Sequence, residues 1–211
     1  MRKKYKVGMI LIGILIILVS IIGISKIFLK KDSETKPKVE TKIISNIEKY
    51  GYTLDERDTK YMKDTFKELE SILNAEEINK EEYAKVLSKL FIIDFYTLSN
   101  KINKYDVGSL EYILNDKVEM FKNKAMDTIY SDIIDNTYKD RVQELPEISK
   151  VEILEIKESK FELNKEEKES YKITLKFSYK KDLGYDKEGT LHIIENNNKL
   201  EVALYNPKIE K

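Results

Sequence analysis

The chain reads as an α+β protein: an N-terminal transmembrane helix, then helices packed on a curved antiparallel four-stranded sheet. Three features of the sequence predict this. Residues 7–25 are apolar and carry no charge. From Ile43 to Pro146, apolar side chains recur every three to four residues, the period of a helix face. Beyond Pro146 they alternate one-on, one-off, as in a strand with one buried face. Helices grouped ahead of strands argue for α+β, not alternating βαβ units.

The N-terminus comes first. Arg2, Lys3, Lys4 and Lys6 precede Val7–Ser25, a 19-residue stretch without a charge. As a helix it would extend roughly 28 Å, close to the ~30 Å hydrocarbon thickness of a bilayer. A span over residues 7–29 is therefore expected, within a basic stub and anchor at 1–31. A cleaved signal peptide is the rival, because Gly23-Ile24-Ser25 offers small residues at a cleavage spacing. Against it, the apolar stretch exceeds the ~7–15 residues of a signal-peptide core. The basic stub favours a cytoplasmic N-terminus, although Lys26, Lys30, Lys31, Lys36 and Lys38 follow the span. The expectation is a single-pass cell-membrane protein with an extracytoplasmic domain.

Residues 32–42 are charged, contain Pro37 and read as a flexible tether. An α+β domain is expected over 43–207, with a short tail at 208–211. Within it, Ile43–Tyr50 is apolar-periodic and ends at Gly51. Met62, Phe66, Leu69 and Leu73 then mark one face of a helix, begun either by the capping pattern Thr53-x-x-Glu56 or by Asp58. Asn79-x-x-Glu82 caps the next helix, flanked by Ile78 and Tyr83 as a hydrophobic staple. Its second half, Leu90 to Leu98, is apolar around the circumference and so belongs at the centre of the core. Ser109 caps a short turn. Asp116-x-x-Glu119 opens a last helix, with Val118, Phe121, Ala125, Ile129 and Ile133 on one stripe.

After Pro146, Val151–Ile156 reads as a weak strand. Tyr171, Ile173, Leu175, Phe177 and Tyr179 alternate with Lys172, Thr174, Lys176, Ser178 and Lys180, which makes a strand with one wet face. Leu191–Ile194 and Leu200–Leu204 flank Asn196-Asn197-Asn198, residues suited to the left-handed backbone of a hairpin turn.

The charge is divided. Residues 1–32 hold seven basic residues against Asp32, or +6, and 33–211 hold 31 basic against 37 acidic, or −6. A nucleic-acid groove needs the opposite sign, so nucleic acid is not an expected partner. The chain has no cysteine and one histidine, His192. That removes disulfides, thiol nucleophiles, the commonest zinc sites and a Ser-His-Asp triad. His192 is expected to be structural, beside Ala203 or Tyr205 on the neighbouring strand. Asp182-x-Gly184-x-Asp186 is too short for a calcium loop, and the glycines are too scattered for a phosphate loop. The expectation is no catalytic residue, no metal and no cofactor.

Asp94 stands out. A carboxylate among Phe91, Ile92, Ile93 and Phe95 is costly to desolvate unless something hydrogen-bonds it. Two readings stay open: a base or ligand contact in an apolar pocket, or a structural carboxylate bound by a tyrosine or a backbone amide.

In element order (helix, helix, short helix, long helix, four-strand sheet) residues Asn79 to Pro207 resemble the nuclear-transport-factor-two-like, or cystatin-like, cone. With a basic stub, a span and a tether ahead of it, the chain is similar to the bitopic scaffold subunit of type IV secretion and conjugation channels. No motif carries the resemblance, so no functional residue transfers. It implies a non-enzymatic, membrane-anchored interaction or scaffold domain with protein partners, self-association among them. The alternative is a small-ligand-binding or weakly catalytic cone. Enzymes on such cones use a buried acid with a tyrosine, and here only Asp94 fits.

Overall fold

A computed structural model describes residues 42–208, which fall within one compact unit spanning 39–211. The expected span at 7–29 and nearly all of the tether at 32–42 lie outside the described residues. Among the described residues no helix is long and apolar enough to cross a membrane. The longest, Lys80–Tyr96, carries six charged side chains in 17 residues. The transmembrane reading, and with it the single-pass cell-membrane localisation, is corrected accordingly.

The described chain opens on a hairpin that the sequence reading did not anticipate. β1 (Ile43–Ile47) pairs antiparallel with β2 (Tyr52–Asp55) through a 3-10 turn at Glu48–Tyr50. Gly51 closes that turn at φ 68°, a left-handed backbone that suits glycine. Two helices follow, α1 (Lys60–Leu73) and α2 (Lys80–Tyr96). Thr59 starts α1 by accepting from the Met62 amide, so neither Thr53 nor Asp58 is the cap. Thr53 lies in β2 instead. Asn79 caps α2 as expected, accepting from the Glu82 amide at 3.1 Å.

The apolar faces land where the periodicity put them. Met62, Phe66, Leu69 and Leu73 are buried in α1, and α2 is buried on every side from Leu90 to Tyr96 except at Asp94. α2 packs on α1 and on the four-stranded sheet, which makes it the central helix of the core. α3 (Val118–Asp127) is shorter than its stripe predicted. The Thr128 hydroxyl donates to the Lys124 carbonyl, and the Thr128 and Tyr130 amides both turn back to Ala125. Ile129 and Ile133 therefore sit in turns, not on the helix.

β3 (Ile148–Leu163), β4 (Glu166–Tyr179), β5 (Glu188–Asn196) and β6 (Lys199–Pro207) form an antiparallel meander in sequence order. Ile173, Leu175 and Phe177 face the core, as their alternation requires. The Asn197-Asn198 turn has two positive φ angles, and Asn164-Lys165 does the same between β3 and β4. β3 runs far beyond the expected Val151–Ile156: β4 first meets β5 at Ser170, so the start of β4 and the end of β3 form a two-stranded arm. His192 pairs with Leu204, not with Ala203 or Tyr205, because a bulge shifts the β5–β6 register there. Its ring lies 5.5 Å from that of Phe161.

Buried tyrosines bind these layers together. The Tyr52 and Tyr83 hydroxyls meet at 2.6 Å, and Tyr52 also donates to the Leu200 carbonyl, joining hairpin, α2 and β6. Tyr96 joins α2 to β6 at the Tyr205 hydroxyl and to the β4–β5 loop at Asp186. Two substitutions separate core packing from capping. Phe66→Ala is expected to lose about 3–5 kcal/mol, and Asn79→Ala about 1 kcal/mol, both read by denaturant unfolding. Equal losses at the two positions would contradict the placement of Phe66 in the core.

Candidate functional site

Asp94 is the one break in the apolar surface of α2's second half, and its surroundings decide what it does. Seven residues on, Lys101 Nζ donates to Oδ1 at 2.5 Å. The Ser109 amide donates to Oδ2, and the Ser109 hydroxyl donates to the Phe91 carbonyl at 2.7 Å. To make both contacts Ser109 adopts φ 65°, a left-handed backbone that costs a non-glycine residue free energy. Gly108 passes so close that a Cβ there would meet the Asp94 carbonyl oxygen at 2.6 Å. Its amide donates to Tyr130 Oη, which donates on to the Phe95 carbonyl. Burial works against the Lys101 charge, but Asp94, with Tyr130 and Asp106, outweighs it and holds the ammonium above its usual pKa.

A second charged knot stands beside the first. Arg57 donates to Asp106 at 2.6 Å and to Asp55 at 2.9 Å, and reaches the Asn100 carbonyl. Burial opposes its charge, and the two carboxylates hold it above the ordinary arginine value. Asp106 also accepts the Ile102 amide, which fixes the 100–106 loop against the end of β2.

Between these knots lies a cavity of about 290 Å³. It is lined by Ile43 of β1, by β2, the turn before α1, Met62, Asp94, the 100–109 loop and the 3-10 turn Leu110–Tyr112. No residue of the four-stranded sheet lines it. The expected pocket around Asp94 was apolar and within a cone. This one is charged and sits on the hairpin side of α2.

Two of its carboxyls have no ion pair among the described residues. Asp58 accepts the Asp55 amide at 2.7 Å, and burial, reinforced by Asp94, pushes its pKa up to about 6. Glu111 accepts the Thr53 amide and hydroxyl, and burial raises it to about 7 despite those bonds. Nearby, the Tyr112 hydroxyl is buried against the Glu111 carboxyl, and Asn100 Oδ1 has no hydrogen-bond partner among the described residues. Sequence reasoning found Asp94 but none of these four. They are spread over separate turns, and no spacing announces that the fold gathers them.

The interior between α2, α3 and the sheet offers far less room. Phe91, Phe95, Tyr96, Phe121 and Tyr205 lie with ring centroids 5.0–6.2 Å apart. A cleft of about 120 Å³ lies beside them. Among the described residues no three acidic or histidine side chains stand close enough to hold a metal ion. Comparison of the chain with family models, curated proteins and solved structures finds no match.

The raised carboxyls set a pH dependence. Each binds its proton more tightly folded than unfolded, so its contribution to stability is complete below about pH 4. That contribution is lost as pH rises through about 6 for Asp58 and about 7 for Glu111. The thermal midpoint of Asp58→Asn/Glu111→Gln is therefore expected to fall less between pH 5 and pH 8 than that of the unchanged chain. Parallel curves would refute the assignment.

Proposed function

We propose that this chain is a non-enzymatic interaction or scaffold domain of cone-like fold, and that it associates with a second copy of itself. From Asn79 onward, helices followed by a four-stranded meander support the cone reading. A catalytic role for Asp94 has less support, since both of its oxygens are committed, to Lys101 and to the Ser109 amide.

The observation that carries the proposal is the segment joining α3 to β3. Residues 128–147 contain no helix or strand, yet they are tied down at many points. The Asn136 amide donates to the Ile102 carbonyl, and the Arg141 guanidinium donates to the carbonyls of Ser99, Lys101 and Ile134. Gln143 bridges the Ile134 amide and the Asp132 carbonyl. A connection this long without regular structure is uncommon unless it has a task.

This segment holds large apolar side chains out in water. Tyr138 is 87% exposed, Val142 96% and Ile134 58%. Ordered backbone lowers the entropy cost of binding, and exposed aromatic and aliphatic groups supply the contact energy. A twofold pairing of like surfaces is the commonest way for such a patch to be covered.

Sedimentation velocity of the full chain over a wide concentration range tests this. Association is expected, and Tyr138→Glu/Val142→Asp should abolish it with thermal stability unchanged, since neither side chain is packed. A strict monomer, or a variant that associates as well as the unchanged chain, would sink the proposal.

A further inference from the structure

The arm formed by the end of β3 and the start of β4 does not continue the plane of the sheet. Lys157 on β3, Lys172 on β4 and His192 on β5 stand in one row, and Phe161 is four residues further along β3. In a flat sheet Phe161 and His192 would be roughly 17 Å apart. Their rings instead lie 5.5 Å apart. The arm therefore folds back over the face turned away from the helices. Its tip reaches further, where Leu163, Asn164 and Glu166 border a space of about 360 Å³ with Asn196 of β5 and residues 114–116. Leu114 in that stretch donates its amide to the Val202 carbonyl of β6.

This strap covers apolar surface but is held lightly. Ile194 is fully buried, although it points away from the helices and stands outside the main apolar core. At the root of the strap the Ser159 and Ser170 hydroxyls meet at 2.7 Å, and within it Lys160 pairs with Glu167. Among the described residues, no side-chain hydrogen bond or ion pair leads from 160–169 out of the arm. Packing holds it instead, with Phe161 set against His192.

His192 brings a titratable group to that contact. Its Nδ1 is buried and has no hydrogen-bond partner among the described residues. With the proton on Nε2, Nδ1 presents only a lone pair. A protonated ring donates from both nitrogens, so a hydrogen on Nδ1 would be buried without an acceptor. Burial first, and then Lys172, hold the ring below the usual histidine value of about 6.5. The other charged groups on the elements around it are Lys157 on β3, Lys168 opposite Phe161, and Glu201 opposite Ile194. Glu201 is already engaged by Asn196 and Lys199. We propose that the arm is a strap that lies on the outer face of the sheet while His192 is neutral, and lifts off to uncover Ile194 when His192 takes up a proton. The closed strap is fully favoured above about pH 6.5 and weakens as pH falls below it. It shares no residue with the 128–147 surface, so self-association and strap release stand or fall separately.

The chain has no cysteine of its own, so Asn115→Cys and Glu166→Cys place two nitroxide labels on either side of the gap at the strap's tip. Electron–electron resonance on the labelled full chain then reads the distance between them at pH 7.5 and pH 5. A short distance is expected at pH 7.5, and at pH 5 a longer one whose population rises about threefold or more. With His192→Gln added, the short distance should persist at both pH values. With Phe161→Ala added, the longer one should dominate at both. A distribution that ignores pH while His192 is present, or that responds equally in His192→Gln, would overturn the proposal. So would a strap that stays closed at both pH values in Phe161→Ala.

Discussion

A single buried carboxylate organises the half of the molecule that faces away from the sheet. Asp94 interrupts the apolar surface of the central helix, and an unpaired charge there would cost several kcal/mol. The chain meets that demand from two directions. Lys101 returns seven residues later to supply the opposite charge, and Ser109 turns its amide onto the second oxygen. The rest of the region follows from these two contacts. Ser109 takes a left-handed backbone, Gly108 gives up its side chain, and Tyr130 reaches across to hold the Gly108 amide.

The cavity is a consequence of the same tie. Drawing the 100–109 loop onto α2 places it opposite the end of β2, where Arg57 closes the gap by gripping Asp55 and Asp106. Two charged knots held apart by rigid backbone cannot collapse onto each other as apolar side chains would. The space between them stays open and keeps Asp58 and Glu111 in it. On the other side of α2 the filling is aromatic, and the packing is close. One helix thus separates a dry core from a charged chamber.

Much of the fold was legible in the sequence, and the reasons are local. The α1 face, the Asn79 cap and the β4 alternation each depend on residues within a few positions of one another, so period and capping chemistry reveal them. The β1–β2 hairpin was missed because Ile43–Tyr50 is too short for its period to separate strand from helix. The length of β3 was missed because its far end pairs only with β4 and alternates weakly. α3 was overextended because its apolar stripe continues past Thr128, where side-chain and backbone bonds to the preceding turn end the helix. At the site, Asp94 announced itself by contrast with its neighbours. Lys101, Asp58 and Glu111 look like ordinary surface charges in sequence, since only the fold reveals that they are enclosed. The ordered 128–147 segment, pinned by Arg141 to carbonyls some forty residues away, was equally invisible.

The claim that everything here rests on is that Asp94 and Lys101 act as one unit, a structural tie and not a reactive acid. A double-mutant cycle with Asp94→Ala and Lys101→Met, followed by denaturant unfolding at pH 7, measures that coupling directly. Each single substitution leaves a buried charge unpaired, so each is expected to lose about 3–5 kcal/mol. The double variant leaves neither, and should be no less stable than the worse single one. Losses that simply add, with each single substitution costing under about 1 kcal/mol, the range of an exposed pair, would contradict the tie.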